Sequence, residues 1–266
     1  MTLETAFVIA ASLGAVGAVW ECAELLVARD QVLGRMFSWP VVRSRYYIFL
    51  NRPLLGGTFD AMFAPGVLPW LLGAEMAAAV SAPFALTWSA PLAAGLALAV
   101  LAVHLVIHVR LLVGMDGADQ MLTLVWVSVA VFALQPDGPL AWVAAAFLTG
   151  QLVLSYFTAG IAKASSRVWR SGEAVAQILR VSTYASPGVS KAGQVRTVSR
   201  LASWGTIAFE CGAPFLVLLG APGIVAFIVL AALFHTGIAV TMGLTTFVFS
   251  FGAALPVTYV AFQHVL

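Results

Sequence analysis

Long stretches of apolar residues, each near the length that crosses a bilayer, alternate with short polar breaks along this chain. Eight runs can be drawn, at 5–28, 62–82, 91–113, 121–134, 140–162, 202–220, 222–240 and 245–265, the fourth of them short. Apolar residues follow one another inside each run without the alternation of a barrel strand, and Pro-Gly and Asp-Gly steps punctuate the breaks. Only helices and closed barrels cross a membrane with every backbone N–H and C=O satisfied. The pattern therefore predicts an all-α polytopic transmembrane helical bundle of about eight spans, a single integral-membrane domain over 1–266 without internal repeats.

Composition strengthens the membrane reading. Hydrophobic residues make up 62% and charged residues 9% of the chain, and the mean hydropathy is +1.00, too little charge to cover a water-soluble surface. The net charge of +2 carries no signal for nucleic acid. The placement of the 13 basic residues is more informative: five fall in 29–52, one at Arg110 and seven in 163–200. These connectors follow the first, third and fifth runs and so share one membrane side, which the positive-inside rule makes cytoplasmic. The expected location is a bacterial cytoplasmic membrane, with 29–60 and 163–200 inside the cell. Trp39, Tyr46, Tyr47, Trp169 and Tyr184 lie in the two long connectors and are of the type that sits at headgroup level, so interfacial helices are expected there, one of them at 173–180. Ser186-Pro187-Gly188 reads as a turn. Cys22 and Cys211 both lie in apolar runs, which does not suggest a disulfide framework, and the first run lacks the basic start and small-residue end of a cleavable signal peptide.

Ionisable groups inside spans are costly and mark candidate function. Glu21 and Glu24 share a face of the first run, Glu75 lies in the second, His104 and His108 are one turn apart in the third, and Glu210 and His235 occupy the sixth and seventh. The simpler reading is that they pair with one another to hold the bundle. The histidine pair has metal-ligand spacing, but a site needs about four ligands and no HExxH glutamate or cysteine accompanies it, so no metal is expected. Gly14 with Ala18, and Gly95 with Ala99, have the spacing of close helix contacts. Phosphate loops, nucleophile elbows and paired CxxC motifs are missing.

Lysine occurs only at Lys163 and Lys191, against 11 arginines. A lysine ending an apolar helix either snorkels to the headgroups or, partly desolvated, serves as a general base, a role arginine cannot fill. The stretch around Lys163 reads Gly150, Gln151, Tyr156, Phe157, Ala159, Gly160, Lys163, Trp169 and Gly172. It resembles the vitamin K-dependent gamma-carboxylase family, in particular its bacterial relatives, the horizontally transferred transmembrane (HTTM) domain proteins. Residues 114–120, Glu210, Phe234-His235 and 242–247 also look like that family, and the resemblance is dense over 114–251.

The resemblance implies that Lys163 is the base that helps convert a quinol, vitamin K hydroquinone or menaquinol, into a strong base during oxygenation. That base then removes a proton from a glutamate side chain. It further implies Tyr156, Phe157, Trp169 and His235 as cofactor neighbours, and a polar cluster of Gln151, Asp119 and Glu210. Asp119-Gln120 stands where the carboxylases carry Asn-His, and no counterpart of their peptide-binding extramembrane domain is expected here, so the substrate would come from a separate partner, a small peptide or a membrane or secreted protein. The leading expectation is thus a quinol-dependent membrane enzyme in the lipid bilayer. Its rivals are a non-catalytic subunit of a peptide-processing or toxin-export system and a proton-coupled transporter using Glu21, Glu24, Glu75 and Glu210.

Overall fold

The computed structural model describes residues 1–32, 38–45, 52–64, 66–111, 115–181 and 186–265. Tyr46, Tyr47, Gly114 and Tyr184, singled out above, lie outside the described residues. Among those described, all regular structure is helical. Eight long helices form the bundle: α1 Leu3–Val27, α2 Leu68–Leu86, α3 Ala90–Arg110, α4 Gly117–Leu134, α5 Pro139–Ser165, α6 Arg196–Leu216, α7 Gly220–Met242 and α8 Thr246–Val265. Their lengths and apolar character make this a multi-pass membrane protein.

Local chemistry sets the boundaries. The short fourth run becomes a full helix because Asp116 caps it: its carboxylate accepts the N–H groups of Ala118 at 2.7 Å and Asp119 at 3.1 Å, while Asp119 accepts the N–H of Asp116 at 2.9 Å. Outside the spans, burial and the neighbouring Asp119 push the Asp116 carboxyl above its ordinary range. The second run begins later than 62, since one helix, Pro53–Met62, ends there and α2 starts at Leu68 with a proline in its first turn. Proline's fixed φ and missing N–H favour a helix start over an interior. Ser186-Pro187-Gly188 also opens a helix, Pro187–Gly193, with Ser186 as its cap, and is not a free-standing turn.

Residues 196–242 form one apolar helical stretch of 47 residues, interrupted by a 3₁₀ turn at Val217–Leu219. If straight, it would hold Phe209 and Phe234 roughly 37 Å apart at 1.5 Å per residue. Their rings are 4.9 Å apart, so α6 and α7 fold back on each other as an antiparallel hairpin. The turn requires Gly223, where a Cβ would lie 1.9 Å from the Leu216 carbonyl oxygen.

Small residues let the helices approach closely. α1 buries Ala6, Ala10, Ala11, Ala15 and Ala18, and a Cβ on Gly14 would stand 3.3 Å from Val125 of α4. Gly95 has no neighbour within 4 Å and, with Ala99, is exposed on α3, so that pair makes no helix contact. The final helix is central: α8 packs against α1, α4, α5 and α7. α1 to α4 pack together on one side, and α5 to α7 on the other. The outer surface carries exposed apolar side chains such as Trp70, Phe84, Trp88, Leu233 and Val240, as lipid contact requires.

Candidate functional site: two buried polar clusters

Among the described residues of the long helices, buried polar side chains collect in two places, one on α5 to α7 and one on α1 to α4. The first is built on α5. Tyr156, Gly160 and Lys163 follow at spacings of four and three residues and so share one face of that helix. Gly160 determines what this face can meet, because a Cβ there would lie 2.7 Å from the Cys211 nitrogen and 2.8 Å from Glu210 carbonyl carbon. With only hydrogen in the gap, α6 comes close enough to bring Glu210 opposite Lys163. The amine bonds both carboxylate oxygens, at 2.8 and 2.7 Å. Their side chains are 20% and 6% exposed, so the amine is held against α6. Trp169 stacks beside it, with the amine 5.1 Å from the ring centre.

The turn carrying Trp169 is fastened to α6. Ser203 donates to the Trp169 carbonyl, and Trp204 Nε1 donates to that of Arg170 at 3.1 Å. Gly172 has a φ of +84°, and a Cβ there would meet Arg200 Cα at 2.7 Å. A side chain would be strained and would also clash.

One turn nearer the middle of the membrane than Gly160, Tyr156 is buried and its hydroxyl lies 2.7 Å from His235 Nε2. Phe209, Phe227 and Phe251 surround the phenol ring, and Phe251 stacks on His235 at 4.1 Å. The other imidazole nitrogen, Nδ1, is buried without a hydrogen-bond partner. His235 lines an apolar cavity of about 510 Å³ together with Leu13, Ile228, Val248, Leu255 and Tyr259.

The second cluster joins α1 to α4. His104 Nδ1 lies 3.2 Å from Glu75 Oε1 and 3.6 Å from Glu21 Oε2. His108 Nε2 lies 3.7 Å from Glu21 Oε1 and 3.5 Å from Asp119 Oδ2. The remaining ring nitrogens face backbone carbonyls, His108 Nδ1 that of His104 at 2.8 Å and His104 Nε2 that of Asp119 at 3.4 Å. The sequence showed no further ligands for the histidine pair; the fold supplies carboxylates from three other helices.

The residues singled out in the sequence are therefore distributed unevenly. Lys163, Trp169 and Glu210 come together, as do Tyr156 and His235. Asp119 has its partners in the second cluster. Gln151 and Phe157 line a separate groove of about 980 Å³ between α5, α6 and α8, so Gln151, Asp119 and Glu210 each have different surroundings. Glu24 is exposed and accepts Trp20 Nε1–H at 2.7 Å, which leaves it out of both clusters. Gly160 as the residue that admits Glu210 could have been found from its place between Tyr156 and Lys163 on one helical face. No family model, curated protein or solved structure matches the chain.

Proposed function

We propose that this protein is a membrane-embedded enzyme that acts on an isoprenoid quinol, with Lys163 as its base and a separate protein or peptide presenting the second substrate. The observation that carries this reading is His235: a buried imidazole with one nitrogen held by Tyr156 and the other unpartnered, lining an apolar cavity. A site for a prenylated ring needs mostly apolar walls and a few placed hydrogen-bonding groups, and these residues meet that requirement. When bound, a quinol would supply the redox chemistry and, with oxygen, a strong base.

The chain's own residues then have defined tasks. With Tyr156 donating its hydroxyl proton to His235 Nε2, the ring proton would stand on Nδ1, where a bound oxygen atom could accept it. Glu210 can take the proton of Lys163, since the two share a short charge-assisted contact away from water. The amine is then neutral and able to accept a proton, while the pair as a whole stays uncharged. Trp169 and Glu210 fix the amine's position. The sequence resemblance around Lys163 indicates the reaction class, a carboxylase-like lyase or oxidoreductase.

The test uses the full chain in menaquinone-containing nanodiscs, with bound quinone measured by solvent extraction and oxygen uptake measured on adding the quinol. About one quinone per chain is expected above the lipid background, reduced at least tenfold in a folded His235→Phe variant. Lys163→Arg should keep the quinone and lose oxygen uptake, because arginine does not deprotonate in proteins. Wild-type protein with no quinone above background, or undiminished uptake by Lys163→Arg, refutes the reading.

A further inference from the structure

The second cluster has no part in that reaction, yet among the described residues it brings Glu21, His104 and His108 together as a group that could hold a metal ion. Its hydrogen bonds orient both imidazoles. A backbone carbonyl can only accept, so His108 carries a proton on Nδ1, 2.8 Å from the His104 carbonyl; His104 faces acceptors on both sides, Glu75 Oε1 3.2 Å from Nδ1 and the Asp119 carbonyl 3.4 Å from Nε2. The nitrogens that face the carboxylates are His104 Nδ1 and His108 Nε2, and a cation bound there would replace any proton on His104 Nδ1, leaving the Nε2–H on the carbonyl. Orienting a histidine by tying its other N–H to a carbonyl is the usual support of a metal-bound imidazole.

The atoms pointing inward are these two ring nitrogens and oxygens of Glu21, Glu75 and Asp119. The His108 side chain is 6% exposed, and neither its Nε2 nor Glu21 Oε2 has a hydrogen-bond partner. Lone pairs and negative charge converging away from water are unfavourable unless positive charge lies between them. The spacing indicates which kind. Hydrogen bonds would draw nitrogen and oxygen to about 2.7–3.2 Å, whereas three of the four contacts measure 3.5, 3.6 and 3.7 Å. Two of these, 3.6 and 3.7 Å, join the histidines to different oxygens of Glu21, near the roughly 3.3–3.6 Å between ligands held about 2.0–2.2 Å from a tetrahedral ion. One atom from each of Glu21, His104 and His108 can be chosen so that all lie within 4.8 Å of one another.

We propose that Glu21, His104 and His108 form a binding site for one first-row divalent cation of the zinc class. Glu75 and Asp119 flank it, each beside one of the histidines, and lower the charge cost of the ion. Two imidazoles and a carboxylate suit zinc better than magnesium or calcium, which prefer oxygen alone. Three protein ligands leave a fourth position for water or for a flanking carboxylate. The ion would join α1 to α3, with Asp119 holding α4 alongside.

The full chain, purified in nanodiscs without a polyhistidine tag and stripped by chelator, is titrated with zinc chloride against a fluorescent zinc indicator. One equivalent is expected to bind, raising the thermal midpoint by about 5 °C at saturation. Glu21→Gln and His108→Gln should each weaken binding at least tenfold while leaving quinone content unchanged, which separates this site from the quinol reading. Should either variant fail to fold, cobalt(II) on wild-type protein decides: visible ligand-field bands of four-coordinate cobalt, abolished by zinc, support the site. Wild-type protein that takes up no zinc, variants that bind as tightly as wild type, or cobalt without such bands would overturn the proposal.

Discussion

Replacing a glycine by alanine should have opposite effects at two positions of the same helix. At position 160 the new Cβ would lie 2.7 Å from the Cys211 nitrogen and 2.8 Å from Cys211 Sγ, where ordinary contact begins at 3.4 Å. Two of the three nearest atoms belong to the α6 backbone and cannot rotate away, so α5 and α6 must part by about 0.7 Å, the shortfall in the closest contact. Overpacking of this kind costs about 1–3 kcal/mol. At position 150 nothing lies within 4 Å, and alanine gains the helix preference that glycine lacks, about 0.5–1 kcal/mol. The two variants should therefore differ by about 1.5–4 kcal/mol, roughly 3–7 °C in thermal midpoint for a chain of 266 residues. Thermal unfolding in detergent, followed by tryptophan fluorescence, measures this directly. A Gly160→Ala protein as stable as wild type, or two variants shifting together, would refute the claim that Gly160 sets the distance between Lys163 and Glu210.

Two further outcomes follow from the ends of the helices. Asp116→Ala should lower stability by about 1 kcal/mol through loss of the cap, whereas Asp116→Asn should be close to neutral, because asparagine caps as well and burial already disfavours the charge; equal losses in thermal unfolding would show that the cap contributes nothing. Single cysteines at Ser44 and Ser190, with Cys22 and Cys211 replaced by alanine, should both resist a membrane-impermeant thiol reagent in intact cells, since their connectors hold 12 of the 13 basic residues. Labelling of both would invert the proposed orientation, and labelling of one would contradict eight crossings.

Much of the fold is legible in the sequence because crossing a bilayer leaves few choices: run length, helix-starting prolines and an aspartate cap place the helices to within a few residues. Partner choice is harder to read. Spacing along a helix says which residues share a face, as with Tyr156, Gly160 and Lys163, but not which helix that face meets. Glu21 and His104 become neighbours only once α1 packs near α3, and nothing local to either residue encodes that. One unused signal was depth. Glu21, Glu75 and His104 lie six or seven residues, and His108 and Asp119 two, from helix ends that connectivity places on one side of the membrane. At 1.5 Å per residue these are about 3–10 Å below that level, so the five are matched in depth even though they come from four helices. Lys163, two residues from the end of α5, also lies on this side. The clusters differ in charge balance. Lys163 and Glu210 neutralise each other within the chain, whereas the histidine cluster sets three carboxyl groups against two imidazoles. Buried charge has to be compensated. The first cluster meets that need with its own lysine; the second can meet it with protons on its imidazoles and carboxyl groups or, on the proposal above, with a divalent ion.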